Sequence, residues 1–560
     1  METTYAQMNA TEPDLDSLGQ AYDDLNRDFD GATSGAERLS VVQRWDQIRR
    51  EFGTWEALVG ARFAQDTTCE NAQTAKGRHS EIRPTITSMD VEFQKRLLAS
   101  KHRPDLQQSL GSHAFDIWAN DVSTFDPCIE QDLVSESKLS TEYTQLIASA
   151  KINFRGETLN LAGLRKYTTD KDRSVRKEAL AATYGFLEGV GGDVDRIFDE
   201  LVGLRHDMAL KMGCENFVEL GYRRMSRLDY GRSDVATFRR EVLRQVVPLV
   251  AQLRGLQAER LGIDKVMGWD AGLYAKDGNP KPHGDHDWML KQAQLMFDDL
   301  DPRIGKFFAM MVRRELLDLK TREGKAGGGF CTYFADYGVP FVFANFNGTD
   351  GDVRVFTHEI GHAFQGFSSS DDRLLDCVWP SYDAAEIHSM SLEFLTYPQM
   401  DKFFAEEAGE FRWNHLAGAL AFLPYGVAGD HFQHLIYEEP KASPARRHEM
   451  WRQMESKYMP DLDWGDIGYA AKGGRWQFQG HYFGAPFYYI DYTLAQTCAM
   501  QFWLACEEDQ AAALERYVGL CKLGGNAPFQ TLVAQAGLTS PFEEGCLDRV
   551  VQRAAQALFS

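Results

Sequence analysis

The ten residues FTHEIGHAFQ, from Phe356 to Gln365, contain two histidines four positions apart, with a glutamate directly after the first. Residues four apart in an α-helix lie above one another on the same face. His358 and His362 can therefore present two imidazole nitrogens to one tetrahedral metal ion, while Glu359 projects beside them toward a metal-bound water. The stretch predicts a helix that carries two zinc ligands and a general base.

The other side of this predicted helix is apolar. On a wheel of about 100° per residue, the two histidines fall near 200° and 240° from the first phenylalanine, far from the apolar residues. The apolar residues within about 80° of one another are Phe356, Ile360, Phe364 and Phe367. In a chain of this length and histidine content, a chance match to this histidine and glutamate pattern is expected on the order of a few per cent of the time. The helix is thus predicted to have a core face and a separate metal-binding face.

A third ligand is predicted in SYDAAEIHSMSLEFLTY, residues 381–397, which reads as a second helix. One face of that helix carries Glu386, Met390, Glu393 and Tyr397, at spacings of four, three and four. Two acids on one face predict a metal ligand and a second carboxylate close to it, and a solvated acidic face is the alternative. His388 lies on a different side and is not expected to bind zinc.

The spacing after the second histidine excludes the metzincin type of zinc protease. That type needs a third histidine six residues after His362 and a glycine three residues after it. Ser368 and Gln365 occupy these two positions. Two other histidines, His431 and His434, have no acid at ligand spacing in the sequence, so a structural or surface role is predicted for them.

The composition excludes several classes of function. The 560 residues are 44% hydrophobic and 25% charged, as in an ordinary soluble globular protein. With 82 acidic and 60 basic residues the net charge is -22, which argues against a nucleic-acid surface because such a surface needs clustered basic residues. The nine cysteines are scattered without a C-x-x-C pair, so neither a disulfide framework nor a cysteine zinc site is predicted.

The N-terminal residues METTYAQMNATEPDLDSLGQ lack the basic start and apolar stretch of a conventional secretory signal. No later stretch approaches the roughly 18 uninterrupted apolar residues of a membrane span. The sequence therefore predicts a cytoplasmic protein without a membrane partner.

Helical periodicity dominates the first three hundred residues. VVQRWDQIRREF places Val41, Trp45, Ile48 and Phe52 on one helical face. The same character continues through residues 174–212, with Gly192 as a possible break, and through DWMLKQAQLMFDDL. We predict an N-terminal helical lobe over residues 1–190 and a catalytic region over residues 191–560, the two sharing one continuous body.

The pattern changes in the second half of the chain. The aromatic and β-branched run from Val339 to Phe346, followed by Asn347-Gly348, predicts a strand. Ser443-Pro444 predicts the start of a later helix, and Ser540-Pro541 predicts the start of the last helix. Together the patterns predict a mainly α fold with a small β-sheet.

The motifs above, with VPFVFANFNGTDGDVRVFTHE upstream and RWQFQGHYFGAPFYYIDYTLAQ near the C-terminus, resemble the thimet oligopeptidase and oligoendopeptidase F family of zinc oligopeptidases. The oligoendopeptidase F branch is the more similar one. The resemblance extends from about residue 327 to the C-terminus. It implies a mainly α, two-lobed body with a deep channel, a small sheet beside the metal site and one Zn²⁺ per chain.

By the same resemblance, the zinc ligands are His358, His362 and Glu386, the general base is Glu359, and Glu393 is an acid close to the site. A strand edge is implied to hold the extended substrate, because strand addition reads the peptide backbone. The residues expected to form it are Ala344, Asn345, Phe346, Asn347 and Gly348. Without the resemblance, an aromatic-rich core strand is the alternative.

The late motif GHYFGAPFYYIDYTLAQ carries candidate donors for the oxyanion. Pro486 can start a helix on which Tyr488, Tyr489 and Tyr492 fall within about a 100° arc, with His481 just ahead. The resemblance implies that a histidine and tyrosines of this region stabilise the tetrahedral intermediate, and Tyr492 and Tyr489 rank above Tyr488 in this role. An aromatic core stripe is the alternative.

The function predicted by these observations is a zinc-dependent endopeptidase. It hydrolyses internal bonds of short oligopeptides with a zinc-activated water and Glu359 as general base. The alternatives are a zinc aminopeptidase or carboxypeptidase, and a helical binding protein that only retains a metal site.

Overall fold

The computed structural model describes residues 2–370 and 373–560. The fold is mainly α, as the sequence predicts. In these residues the 24 α-helices are α1 (Leu15–Gly31), α2 (Gly35–Gln65), α3 (Glu70–Ala99), α4 (Arg103–Leu110), α5 (Ser112–Thr124), α6 (Glu130–Ala148), α7 (Leu161–Leu164), α8 (Arg173–Lys211), α9 (Phe217–Arg224), α10 (Arg232–Glu241), α11 (Val247–Leu261), α12 (His286–Leu300), α13 (Pro302–Arg313), α14 (Asp350–Ser368), α15 (Tyr382–Leu395), α16 (Asp401–Phe404), α17 (Ala408–Glu438), α18 (Pro444–Tyr458), α19 (Gly468–Ala471), α20 (Gly480–Gly484), α21 (Tyr489–Glu508), α22 (Gln510–Leu523), α23 (Phe529–Gln535) and α24 (Asp548–Phe559).

Five short strands form two small sheets. The strands are β1 (Ile152–Phe154), β2 (Glu157–Leu159), β3 (Leu317–Lys320), β4 (Phe330–Phe334) and β5 (Val339–Phe346). Strands β1 and β2 form an antiparallel hairpin that the sequence reading missed. The other sheet has the order β3-β5-β4, in which β3 runs parallel and β4 antiparallel to β5. The predicted strand is confirmed, because β5 has the bounds that its aromatic and β-branched run indicates.

Strand β5 is the central strand of its sheet, but β4 pairs with it only as far as Phe343, so the expectation of a substrate-binding edge at residues 344–348 stays a prediction. Ala344 and Phe346 are buried, and the Asn345 side chain donates to backbone carbonyls of the segment before β4. The backbone N–H groups of Asn347 and Gly348 donate to a carboxylate at the start of α14. The uninterrupted hydrophobic composition of β5 is typical of a strand buried on both faces.

The outer strand on the side of α14 is β4. It follows Gly329, where an added Cβ would lie 3.0 Å from the Glu359 Oε1 atom. The start of β4 therefore passes directly beside the residue predicted to be the general base.

Helix α8 runs without interruption past Gly192, so the predicted break there is wrong. The neighbouring Gly191 serves close packing, since a Cβ added there would lie 2.7 Å from the Tyr469 hydroxyl oxygen, whereas a Cβ added at Gly192 would meet no atom within 4 Å. The predicted boundary between residues 190 and 191 falls inside this helix. The division into two lobes stays a prediction.

Of the two helix starts predicted from a serine-proline pair, one is confirmed and the other is wrong. Helix α18 does begin at Pro444, with the Ser443 side chain accepting a hydrogen bond from a backbone N–H as its N-cap. Ser540-Pro541 does not start the last helix, which begins only at Asp548. Gly545 lies between them with φ +81°, a left-handed conformation that interrupts a right-handed helix.

Helix α21 begins at Tyr489 and not at Pro486. The cause is Phe487, which is fully buried and has φ +70°, a conformation that costs about 1–3 kcal/mol for a residue with a side chain. Its N–H donates to Gln433 Oε1 at 2.7 Å, and its carbonyl accepts from Arg227 at 2.6 Å. These two buried bonds hold the backbone in this conformation at the entry to α21.

One hydrophobic core joins the two ends of the chain, since it contains both Met8 and Leu558. This core supports the prediction of one continuous body. Within the described residues, no helix combines the length and apolar character needed to cross a membrane.

A buried ion cluster ties the N-terminal helices to α20. Glu136 of α6 accepts from Arg205 of α8 at 2.6 Å and from Arg224 of α9 at 2.7 Å. Arg205 also donates to the backbone carbonyls of Tyr482 and Phe483 in α20. Burial alone raises the pKa of Glu136, but the two arginine charges outweigh burial and lower this pKa to about 2.

Candidate active site

Helices α14 and α15 carry the predicted metal ligands, and they pack with their backbones in near contact. A Cβ added at Gly361 would lie 2.6 Å from the Ser389 Cα atom. Only glycine fits there, one residue before His362, so the absence of a side chain lets Glu386 reach both histidines. The predicted core face of α14 is buried at its first three apolar positions, whereas Phe367 is 39% exposed and does not belong to it.

The donor atoms of His358, His362 and Glu386 converge. The Glu386 Oε2 atom lies 3.2 Å from His358 Nε2 and 3.3 Å from His362 Nε2. One donor atom from each of the three residues lies within 4.8 Å of the others. Tetrahedral zinc, with bonds of about 2.0–2.2 Å, places its donors about 3.3–3.5 Å apart. The spacing and the donor types therefore fit Zn²⁺.

A chain of hydrogen bonds extends from His358 away from this cluster. Its Nδ1 atom lies 2.8 Å from Glu393 Oε1, which leaves Nε2 directed at the ligand cluster. The other Glu393 oxygen lies 2.6 Å from His415 Nε2, and His415 Nδ1 lies 2.7 Å from the Tyr397 hydroxyl. Burial raises the pKa of Glu393, but its contacts with the two histidines outweigh burial and lower this pKa to about 2. Glu393 is thus ionised and fixes the orientation of His358, a predicted ligand.

Other histidines do not join the cluster. The Nδ1 atom of His362 has no hydrogen-bond partner among the described residues, so the two histidine ligands differ in their support. His388 is buried and its Nδ1 contacts the Ala384 carbonyl at 2.9 Å. His431 contacts a tyrosine hydroxyl, and the buried His434 lies 3.4 Å from Asp430, four residues before it. The prediction that His434 has no acid at helical spacing is therefore wrong, and the partner serves a structural contact.

Glu359 lies beside the cluster as the helical spacing predicts. It is only 5% exposed, and its Oε2 atom has no hydrogen-bond partner in the described part of the chain. Burial raises the pKa of this carboxyl group, against the charges of His358 and His362 that lower it. A carboxylate with a raised pKa and a free oxygen has the properties of a general base.

His481 of α20 faces the cluster across the site, in a fixed orientation. The Tyr425 hydroxyl donates to Gln479 Oε1 at 3.1 Å, which directs the Gln479 amide N–H at His481 Nδ1, 2.6 Å away. Burial lowers the pKa of His481 to about 4, so the ring is neutral at pH 7. Since Nδ1 accepts a hydrogen bond, the ring proton is on Nε2, which lies 3.1 Å from the Tyr492 hydroxyl.

The three tyrosines of the late motif surround His481, with ring centroids 5.3–5.6 Å from its own. The Tyr492 hydroxyl contacts His481, and the Tyr488 hydroxyl donates to the ligand Glu386. Tyr489 is 8% exposed and packs edge-on against the Tyr425 ring. The geometry therefore separates the three: Tyr492 pairs with the histidine, Tyr488 with a ligand, and Tyr489 with other aromatic rings.

A cavity of about 320 Å³ opens beside His358. Its wall is formed by Arg354, His358, Met390, Glu393, His415, Gly418, Ala419, Phe422, Gln479, His481, Tyr489, Tyr492 and Gln496. This wall includes His481, whose ring proton is on Nε2, and Glu393, which contacts His358. The cavity can hold several residues of an extended peptide next to the metal-binding cluster.

The sequence reading missed two residues that position the site. His415 is a single histidine in a helix, 22 residues after Glu393, and nothing in its local pattern indicates that it contacts an acid of another helix. Gln479 lies two residues before His481. The only local indication of its role is its position two residues before a candidate catalytic histidine.

Comparisons with known proteins agree along the whole chain. Residues 5–125 match the peptidase M3 N-terminal domain, and residues 304–551 match peptidase family M3. The structure of PZ peptidase A with inhibitor 2 is 40% identical, with a TM-score of 0.98 over 99% of each chain. A putative oligoendopeptidase F is 42% identical over 100% of this chain and 99% of its own, with a TM-score of 0.98.

A putative oligoendopeptidase F from Bacillus anthracis str. Ames is 40% identical, with a TM-score of 0.93 over 100% of this chain and 98% of its own. A search of curated proteins gives no match. The identity of 40–42% over nearly the full length of both chains leaves no segment outside the likeness. The chain therefore belongs to peptidase family M3 and is an enzyme of the metallopeptidase class.

Proposed function

We propose that the protein is a zinc-dependent endopeptidase that hydrolyses internal peptide bonds of short oligopeptides. The observation that carries the proposal is the convergence of His358, His362 and Glu386 at donor distances that suit Zn²⁺, with Glu359 beside them. The names of the similar oligoendopeptidases support the endopeptidase assignment. All nine cysteines are free, which supports a reducing compartment, and we propose the cytoplasm.

Zinc, when bound, supplies a Lewis acid that polarises the scissile carbonyl and lowers the pKa of a water to about 7. Glu359 takes the proton of the attacking water and later delivers it to the leaving amine. Its free Oε2 atom and its buried position suit this transfer. Glu393 keeps His358 in the orientation that binding requires.

His481 and Tyr492 stabilise the negative charge that develops on the carbonyl oxygen. The neutral His481 ring donates from Nε2, because Gln479 occupies Nδ1. The adjacent Tyr492 hydroxyl is the second donor. One such donor contributes roughly 3 kcal/mol to the transition state in a site from which water is excluded.

The start of β4 is the segment best placed to pair with an extended substrate. Gly327, Gly328 and Gly329 precede it and are exposed, and the last of them lies beside Glu359. Strand addition at this outer strand would place a peptide bond of the substrate next to the base. The residues without side chains allow the substrate backbone to approach closely.

The test is the variant Glu359→Gln, assayed with peptides blocked at both termini. We expect it to bind one zinc per chain as the wild type does, but to lose several orders of magnitude in kcat, because the base is neutral while the ligands are unchanged. Glu386→Ala should lose zinc as well as activity. Zinc content by mass spectrometry or elemental analysis separates the two effects.

Wild-type cleavage of the doubly blocked peptides supports an endopeptidase, whereas cleavage of unblocked peptides alone supports an exopeptidase. Stoichiometric zinc without hydrolysis of any peptide in a mixed pool would indicate a binding protein. Full activity of zinc-loaded Glu359→Gln would disprove the role of the base.

A further inference from the structure

Gln496 is a buried glutamine in the wall of the cavity beside His358. It lies on α21 and is only 6% exposed. Its Nε2 atom is buried without a hydrogen-bond partner, and no residue among 2–370 and 373–560 forms a hydrogen bond with its Oε1 atom. A glutamine amide has two N–H donors and one carbonyl acceptor. Gln496 therefore has unused hydrogen-bonding groups of both kinds at the cavity.

Several polar side chains of the same wall already have partners. Both oxygens of Glu393 and both ring nitrogens of His415 contact other side chains of the protein. The Gln479 amide is held between a tyrosine hydroxyl and His481. Gln496 differs from these residues, because a buried amide without a partner lowers stability until a partner restores its hydrogen bonds. The cavity is the route by which such a partner reaches it.

A second glutamine on α21 shows what an amide of this kind binds. Gln501 donates from Nε2 to the Thr539 carbonyl at 3.0 Å and accepts from the Thr539 N–H at 2.8 Å. One side-chain amide thereby pairs with both backbone groups of a single residue. In an extended chain the N–H and C=O of one residue point to the same side. A glutamine can therefore hold one residue of an extended peptide in the same way.

The place of Gln496 on α21 relates it to the cleaved bond. It follows Tyr492 by four residues, or about 6 Å along the helix, and side chains at this spacing lie on one face. The Tyr492 hydroxyl contacts His481, and these two groups are the proposed donors to the attacked carbonyl. An extended peptide advances about 3.3 Å per residue. The offset from Tyr492 thus corresponds to about two residues of substrate.

We propose that Gln496 is a substrate-binding residue, whose amide pairs with the backbone N–H and C=O of one peptide residue close to the cleaved bond. The inference rests on the proposed function, because it names how the same site holds its substrate. The terminal torsion of a glutamine is broad, so a rotation brings both amide atoms to the cavity. Since the contact uses backbone groups, it favours an extended peptide without selecting a side chain.

The experiment scans the backbone of a short neutral peptide that is blocked at both termini and cleaved at one bond. Esters replace the peptide N–H groups one at a time near the cleaved bond, which itself stays an amide. With the zinc-loaded wild type, we expect at least one ester to have a kcat/KM roughly tenfold below that of the parent peptide, because a hydrogen bond is lost. Mass spectrometry of the products checks that the same bond is cleaved.

Gln496→Met removes the amide and keeps a side chain of similar length. We expect it to lower kcat/KM for the parent peptide roughly tenfold through KM, with kcat nearly unchanged. In this variant one of the slow esters should react as fast as the parent peptide, because the bond that it lacks is already absent. Gln501→Met is the matched control, since it removes the same group from the same helix outside the cavity wall. It should keep the kcat/KM values of the wild type.

Thermal unfolding of the zinc-loaded, peptide-free protein separates a binding residue from a structural one. Gln496→Met replaces an unpartnered buried amide with an apolar side chain, so we expect its Tm to stay the same or rise. Gln501→Met breaks two hydrogen bonds to Thr539, so its Tm should fall. A Tm that falls further in Gln496→Met than in Gln501→Met would assign Gln496 a structural role and overturn the inference.

Binding without turnover gives a third measurement. In the Glu359→Gln background, calorimetry with the parent peptide should give a Kd about tenfold higher after Gln496→Met and an unchanged Kd after Gln501→Met. Equal ester-to-parent ratios of kcat/KM in the wild type and Gln496→Met contradict the backbone contact, while the endopeptidase activity stands. If the wild type cleaves no peptide, the proposed function fails and the inference fails with it.

Discussion

Glu136 and Glu393 are two buried carboxylates with the same local arrangement and different consequences. Each lies between two nitrogen-containing side chains from other helices, and in each case these partners lower the pKa to about 2 against the effect of burial. Glu136 contacts two arginines and is not among the residues that line the cavity beside His358. Glu393 contacts two histidines, one of which is a predicted zinc ligand.

The partners decide what each carboxylate does. A guanidinium is always charged, so the Glu136 cluster is a permanent ion cluster whose loss leaves buried charges unpaired. An imidazole can be neutral and has two distinct nitrogens, so a carboxylate on one nitrogen directs the other toward a metal. We therefore expect Glu136 to contribute to stability alone and Glu393 to contribute to zinc affinity as well.

The largest expected effect is that of Glu136→Ala on stability. The variant leaves Arg205 buried without its counter-charge, and we expect the free energy of unfolding to fall by about 3–5 kcal/mol. Urea unfolding followed by circular dichroism measures the change. Glu219→Ala, which removes an exposed partner of Arg223, is the control and should cost less than about 1 kcal/mol. Similar losses of unfolding free energy in Glu136→Ala and Glu219→Ala would show that the buried ion cluster contributes no more than an exposed ion pair.

The second prediction concerns how the contribution of Glu136 to the free energy of unfolding depends on pH. Its folded-state pKa is lowered from 4.5 to about 2, so the ion cluster stabilises the fold at pH values above the unfolded pKa. A shift of this size corresponds to about 3 kcal/mol, which is lost as the pH falls from about 4.5 toward 2. The difference in unfolding free energy between wild type and Glu136→Gln should narrow over this range. A difference that stays constant with pH would show that the carboxylate charge does not contribute.

The smallest effect concerns Glu393→Gln, which keeps the size of the side chain and removes its charge. We expect zinc affinity to fall 10–100-fold, or about 1.4–2.7 kcal/mol, because the His358 ligand becomes less basic and less well oriented. Competition with a chelator measures the affinity. Stability of the metal-free protein should fall as well, because the pKa of Glu393 is lowered as far as that of Glu136, so zinc affinity is the readout that separates the two carboxylates. Unchanged zinc affinity would show that the Glu393 carboxylate does not strengthen zinc binding.

The sequence predicts the parts of the site that lie on single helices. His358, Glu359 and His362 share one helix, so their relation follows from its periodicity alone. Strand β5 was predicted to its terminal residues, because its composition is distinct from the helices around it. Local pattern was sufficient in these cases.

Features that depend on distant contacts were not predictable in the same way. The place of β5 in the middle of its sheet depends on β3 and β4, and neither gives a clear signal in the sequence. The late start of α21 follows from the left-handed Phe487, whose two hydrogen bonds come from Gln433 of α17 and from Arg227 in the loop after α9. His415 contacts Glu393 only through the packing of α17 against α15. In each case tertiary structure overrides or completes the local tendency.

The close packing at Gly361 has a consequence for the choice of metal ion. Because α14 and α15 meet through backbone atoms, glycine at position 361 sets how closely the two helices that carry His358, His362 and Glu386 approach. Two imidazole nitrogens and one carboxylate do not suit Ca²⁺, which needs six to eight oxygen ligands at about 2.3–2.6 Å. Small ions that accept nitrogen ligands, such as Co²⁺ and Mn²⁺, meet the spacing, and for them affinity follows the order of their intrinsic nitrogen preference. We therefore expect Gly361 to help keep the three donors at a spacing that suits small ions, although it contributes no atom to the coordination.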